Sequence, residues 1–254
     1  MDDSHLLRYS RHLLLDELGT DAQERFAAAH ALVVGAGGLG NPAAQFLASA
    51  GVGTLTLVDD DEVDLTNLQR QLLFALADVG VPKVEAAARR LAAVNPTIRI
   101  VPLRRRVGAD ELGALAAAAD VVLDCTDNFS TRHAINRACV AAAKPLVSGA
   151  AVRFDGQVAV FDTRDPAAPC YHCLFGEGEE LAETRCATMG VFAPLVGVVG
   201  AMQAAEALKL IAGTGRTLAG RLLVFDALSS QWRELRVPRD PQCPVCAHRP
   251  GAPA

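Results

Sequence analysis

One stretch limits the possible folds of this chain more than any other. It is the apolar run Leu32-Val33-Val34 that breaks into Gly35-Ala36-Gly37-Gly38-Leu39-Gly40. A short, continuous apolar run rich in valine reads as a strand buried on both faces, as strands of parallel sheets are. The glycines allow a tight turn and let the backbone approach a phosphate at the N-terminus of the following helix. The same alternation continues down the chain. Strands are predicted over 31–35, 54–59, 98–103 and 121–125, with another led by 145–148. Helices are predicted over 4–29, 39–50, 82–94, 110–118 and 130–143, the third with a proline at its start. This is the pattern of a Rossmann-like α/β fold, a mainly parallel sheet with helices on both faces. Later the pattern changes: 151–162 alternates like an antiparallel strand or hairpin, 176–185 is an acidic loop, 194–212 is a long helix, and 221–226 with 231–237 reads as an antiparallel pair. The expected architecture is one domain over 1–254, a nucleotide-binding part to about 150 continued by antiparallel strands from about 151.

Bulk properties exclude several classes. The 254 residues are half apolar, enough for a sizeable core, and the formal net charge of −5 argues against nucleic acid as a partner. The run Arg104-Arg105-Arg106 is expected to be a solvated strand end. The first sixteen residues are polar and charged, so no signal peptide is expected. The most apolar stretch, 195–212, is interrupted by Gln203, Glu206 and Lys209, which suits a buried or interface helix better than a membrane span. A soluble, cytoplasmic protein is the expectation. In that compartment seven cysteines do not imply a disulfide framework.

Within this frame Asp59 ends the second strand, nineteen residues after Gly40, where a carboxylate can accept hydrogen bonds from ribose hydroxyls. Asp60, Asp61 and Glu62 are expected to be solvated. A dehydrogenase would also need a hydride-transfer site, and none is evident. Instead basic residues recur: Arg11, Arg70 just after Asn67, and Lys83 at a helix start. Beside a glycine turn such cations can neutralise a triphosphate. Asp127 follows a strand at the ligand-binding edge of the sheet and suits magnesium, its alternative being N-cap of the next helix. Cys170-x-x-Cys173 and Cys243-x-x-Cys246 have the spacing of a closed four-sulfur zinc site, structural rather than catalytic. A redox dithiol is the competing reading of the second pair. Cys186 follows the acidic loop and Arg185, and stands open between a nucleophile or persulfide carrier and a spectator thiol. Cys125 and Cys139 read as core.

Together RYSR (Arg8 to Arg11), GAGGLG (Gly35 to Gly40), ASAGVGTLTLVD (Ala48 to Asp59), NLQRQ (Asn67 to Gln71), Pro82-Lys83, DCTDN (Asp124 to Asn128), APLVGVVG (Ala193 to Gly200) and both cysteine pairs make a specific set. The chain resembles the ThiF/MoeB/HesA adenylyltransferases, bacterial relatives of ubiquitin-activating enzymes, over nearly its whole length. The resemblance implies ATP- and magnesium-dependent adenylation of the C-terminal glycine of a ubiquitin-like sulfur carrier, ThiS-like or MoaD-like, ahead of thiocarboxylate formation for thiamine or molybdopterin synthesis. By motif, Gly35, Gly37, Gly38, Gly40 and Asp59 would hold the nucleotide. Asn67, Arg70 and Lys83 would hold the phosphates, Gln69 would contact the cofactor, and Asp127 would hold the magnesium, with Asn128 beside it. Arg11 would reach into the partner subunit's site in a homodimer. Cys186 aligns with a family cysteine linked to sulfur transfer in some members. His12 stands where the family often has glutamine. With no rhodanese-like domain after the second cysteine pair, the sulfur donor is expected to be a separate protein, such as a cysteine desulfurase or rhodanese. Two other readings remain: a nicotinamide-dependent oxidoreductase, resting on the glycine turn and Asp59 alone, and a non-catalytic zinc scaffold that binds a ubiquitin-like tail.

Overall fold

The computed structural model describes residues 2–177 and 189–251. Eight strands form one sheet in the order β3-β2-β1-β4-β5-β6-β7-β8. The strands are β1 (His30–Val34), β2 (Thr54–Val58), β3 (Arg99–Leu103), β4 (Val121–Asp124), β5 (Leu146–Val152), β6 (Asp155–Phe161), β7 (Arg221–Asp226) and β8 (Gln231–Arg236). All pairs from β3 through β5 are parallel, and β5 to β8 pair antiparallel. The parallel-then-antiparallel order expected from the sequence is therefore present. The alternating stretch after Gly149 is the β5–β6 hairpin, and β7 and β8 form the expected final pair.

The apolar composition of β1 has a direct cause. Ala31, Leu32, Val33 and Val34 are all buried, because helices cover both faces of the strand. Leu32 and Val34 face one cluster with Ile135 and Leu146, while Ala31 and Val33 face the other with Leu47 and Leu91. The helices are α4 (Gly40–Ala50), α5 (Lys83–Val94), α6 (Ala109–Ala118), α7 (Phe129–Ala142), the short α8 (Tyr171–Leu174) and α9 (Ala193–Ala212). Three short helices precede β1: α1 (Asp3–Arg8), α2 (Ser10–Leu13) and α3 (Gly19–Ala28).

Those three replace the single helix expected over residues 4–29. Tyr9 leaves helical geometry at φ −100° and ψ 12°, and Gly19 starts α3 at φ +58°, a conformation an uninterrupted helix has no room for. The apolar stripe that suggested one helix splits accordingly. Phe26 is buried, whereas Leu7 and Leu14 are exposed.

Helix α9 is long and apolar enough to cross a membrane by length and composition, but more than half of that stretch is buried inside the fold. It packs on α4, β5 and β6. The polar residues that interrupt it are structural ties. Gln203 donates through Nε2 to the carbonyls of Asp124 (2.7 Å) and Val147 (3.2 Å), locking α9 to β4 and β5. Glu206 accepts from the Leu218 amide at 2.7 Å and pairs with Lys209 at 2.5 Å. Cys125 and Cys139 are buried core thiols, and burial pushes both well above the ordinary range. Gln203→Leu leaves two buried carbonyls without that donor and is expected to destabilise the fold by roughly 1–3 kcal/mol, read from the urea unfolding midpoint.

Candidate active site

Strand order reverses between β1 and β4, so the chain leaves the carboxyl ends of these neighbours in opposite directions and a crevice opens there. The glycine turn after β1 lines one side. Gly35 has φ +94°, and a Cβ on it would lie 2.6 Å from the Cys125 carbonyl oxygen just past β4. A Cβ on Gly40 would collide with the Gly35 carbonyl, so helix α4 can start there only without a side chain. Gly38 sits beneath α9, where a Cβ would meet the Val196 side chain at 3.3 Å.

Asp59 lies just past β2 and binds the turn. Its Oδ2 accepts from the Ala36 amide at 2.7 Å and its Oδ1 from the Asp61 amide at 2.9 Å. Each carboxylate oxygen can accept more than one hydrogen bond, so this role is compatible with a ribose contact as well. Burial pushes the Asp59 carboxyl above the usual range, while Lys83 and the two amides pull it down. Lys83 opens α5 with its side chain 8% exposed, and its ammonium meets Asp61 Oδ2 at 2.6 Å. Asp61 is exposed as expected, but it is paired rather than merely solvated.

The segment after Asp59 returns to the turn. Asn67 closes a single helical turn by accepting from the Asp64 amide at 3.1 Å, and Arg70 Nη1 donates to the Thr66 carbonyl at 2.9 Å. Gln69 and Arg70 line a cleft of about 310 Å³ with Asn41, Gln45 and the start of α9. Two residues that sequence reasoning passed over make this junction. Asn41 Nδ2 donates to the Ala36 carbonyl (2.8 Å), and its Oδ1 accepts from the Leu73 amide (2.8 Å). Gln71 is buried beside Gly37, with its side-chain carbonyl lacking a partner. The available signal was an asparagine one residue into a largely apolar helix.

Across the crevice, Asp124 is fully buried at the end of β4. It accepts from Thr126 Oγ1 (2.7 Å) and Ser148 Oγ (3.0 Å), with Arg132 of α7 at 4.0 Å. Asp127 is exposed at the crevice edge. The cap of α7 is Asn128, whose Oδ1 accepts from the Thr131 amide at 2.9 Å, so the capping alternative for Asp127 belongs to its neighbour. Arg11 is exposed on α2. Tyr9, two residues before it, packs under Gly51 at the far end of α4 and bonds Asn95 at 2.9 Å. Cys186 and residues 178–185 of the acidic loop lie outside the described residues.

The two cysteine pairs converge although 73 residues separate their corresponding members. Sγ–Sγ distances are 3.9 Å for Cys170–Cys173, 3.7 Å for Cys170–Cys243 and 3.5 Å for Cys173–Cys246. Zinc–sulfur bonds of about 2.3 Å place the corners of a tetrahedron about 3.8 Å apart, so the four thiols fit that ion. Three of them are buried and Cys173 is partly so. Asn136 of α7 donates to Cys170 Sγ at 3.6 Å and accepts from the Tyr171 amide at 2.9 Å. His172 Nδ1 lies 3.7 Å from Cys243 Sγ. The Asn136 contacts were not legible in the sequence, since α7 reaches the cysteines only through the fold.

A glycine turn at the reversal of a mixed sheet, an acid at the second strand end and a buried lysine define a nucleotide-binding α/β protein with a four-cysteine knuckle. The pattern of the ThiF family matches residues 9–245, and the chain belongs to that family. It is 48% identical to the molybdopterin-synthase adenylyltransferase of Escherichia coli, covering 97% of this chain and 98% of that protein. It is equally 48% identical to the sulfur carrier protein ThiS adenylyltransferase of the same organism, covering 97% of each. A crystal structure of E. coli MccB with ATP superposes with a TM-score of 0.82 at 26% identity, covering 94% of this chain and 73% of that one.

Asn41→Ala unties the Ala36 carbonyl from the Leu73 amide. It is expected to cost roughly 1–3 kcal/mol per orphaned group in chemical unfolding and to weaken nucleotide binding in calorimetric titration. Unaltered nucleotide affinity in a folded variant would detach residues 71–74 from the site.

Proposed function

We propose that this chain adenylates the C-terminal carboxylate of a ubiquitin-like sulfur carrier, ThiS-like or MoaD-like, using ATP held in the crevice between β1 and β4. One observation carries the reading. Asp59 is bonded to the glycine turn, Gln71 lies beside Gly37 and Lys83 pairs with Asp61, in a chain that matches two named carrier adenylyltransferases almost end to end. In the reaction a carboxylate oxygen of the carrier attacks the α-phosphorus of ATP. The bond from that phosphorus to the bridging oxygen breaks, and pyrophosphate leaves with the electron pair. No general base is needed, because the carboxylate is already ionised at neutral pH.

The obstacle is the meeting of two anions, and this chain supplies cations for it. The backbone amides of residues 35–40 and the start of α4 receive phosphate, as helix N-termini do. Arg70 has donors beyond the one spent on the Thr66 carbonyl, and it faces the cleft beside α9. Lys83 is buried with its ammonium on the Asp59–Asp61 side of the turn. Asp127 would hold magnesium at the crevice edge; bound there, the ion offsets phosphate charge as pyrophosphate departs. Asn128 orders the adjoining turn by capping α7.

Zinc on Cys170, Cys173, Cys243 and Cys246 is structural in this reading: it ties the chain beyond β8 to α7 and α8. The enzyme acts as a homodimer. The exposure of Arg11 on a helix flanked by the exposed Leu7, Leu14 and Leu15 supports its reaching a partner's site. Sulfur comes from a separate donor protein, and Cys186 is a candidate acceptor for it.

The test is ATP–pyrophosphate exchange by the zinc-loaded protein with purified ThiS-like and MoaD-like carriers. Carrier-dependent exchange is expected, and its absence with every candidate carrier would overturn the reading. Arg70→Ala should lower exchange at least a hundredfold, on the scale of losing one transition-state donor, with an unchanged thermal melt. Elemental analysis should find one zinc per chain. Cys243→Ser is expected to lose that metal and to lower the melting temperature, since such a site contributes on the order of 10 kcal/mol to folding.

A further inference from the structure

Lys83 is a buried cation with an exposed partner. Its side chain is 8% exposed and that of Asp61 is 66% exposed, with 2.6 Å between Nζ and Oδ2. Asp61 is held in place by its backbone: its carbonyl accepts from the Lys83 amide at 2.9 Å, and its amide donates to Asp59 Oδ1 at 2.9 Å. Asp59 Oδ2 in turn accepts from Ala36 at 2.7 Å. A continuous line of contacts therefore runs from the glycine turn through Asp59 and Asp61 to Lys83.

A buried ammonium needs a counter-charge whenever no ligand supplies one. Two carboxylates are at hand, and they differ in what release would cost. Asp59 is largely buried and held by two amides. Asp61 can turn its carboxylate into water, and a ligand phosphate would then supply the counter-charge that Lys83 needs. Asp59 is thus the fixed charge and Asp61 the exchangeable one.

Building on the reading that Lys83 meets the phosphates, we propose that Asp61 is a built-in stand-in for the triphosphate. It holds Lys83 while the crevice is empty, yields it when ATP enters and takes it back as pyrophosphate departs. Asp61 is a positioning residue that acts through Lys83 and touches no reacting atom. Its carboxylate competes with phosphate for one ammonium, so it weakens ATP binding and, by the same competition, helps pyrophosphate leave. No bond is made or broken in this exchange of partners.

The experiment is calorimetric titration of Asp61→Asn and the parent protein with Mg·ATP, with pyrophosphate and with adenosine, together with exchange kinetics. Asp61→Asn is expected to bind ATP and pyrophosphate about fivefold more tightly, the scale of one partly exposed ion pair, with adenosine unchanged. KM for ATP should fall together with kcat, as pyrophosphate release slows, and Asp61→Glu should restore parental values. Unchanged or weaker ATP binding overturns the proposal, and so does an equal gain for adenosine, which would mark a general structural effect. Lys83→Met separates the two ideas. If it loses pyrophosphate but not adenosine binding, a failure of Asp61→Asn overturns the stand-in role alone. If its pyrophosphate binding is intact, Lys83 is not at the phosphates and both ideas fall.

Discussion

The close approach of three backbone segments at the glycine turn is the constraint on which the rest of the molecule depends. Gly35 lies against the backbone just past β4, and Gly40 against the carbonyl of Gly35, at separations that admit no Cβ. This contact brings the start of α4 onto the carboxyl ends of β1 and β4 and so fixes where the crevice opens. Neighbouring elements then fasten to the turn. Asp59 ties it to the end of β2, Asn41 ties it to residue 73, and Val196 of α9 packs on Gly38. Losing any one fastening leaves a buried polar group or a gap beside the turn.

Charge management follows the same geometry. The chemistry brings a carboxylate to a polyanion, so the crevice must hold cations, and cations in a buried place must themselves be held. Lys83 is held by Asp61, and Arg132 by Asp124 together with the Thr126 carbonyl. The first pair has one exposed member and is exchangeable. The second is buried on both sides and serves as scaffold, because separating two buried charges is costly. Burial thus assigns different work to two ion pairs of the same chemical type.

Two helices join the parallel and antiparallel halves. Gln203 of α9 reaches carbonyls on β4 and β5, next to the place where strand direction changes. Helix α7 begins at Asn128 beside the crevice and touches the cysteine knuckle through Asn136. The knuckle therefore packs against the middle of a helix whose start borders the crevice.

The order of strands and helices was readable because each apolar run had the length and punctuation of its element, and boundaries moved by only a residue or so at β1, α4, β7 and β8. The N-terminal helices were misread as one, since periodicity cannot see Tyr9 and Gly19 departing from helical geometry. Glycines, acids, cations and paired cysteines were likewise visible, because their spacing reflects local chemistry. What the sequence by itself determined was a nucleotide-binding α/β chain with four metal-spaced thiols. Only the tertiary structure decided that Asp61 rather than bulk water partners Lys83, that Asn128 and not Asp127 caps α7, and that Asn41, Gln203 and Asn136 are the ties between elements. The reason is physical: spacing along the chain encodes which groups are near in sequence, whereas burial and the partner of a charge depend on segments brought together only when the sheet closes.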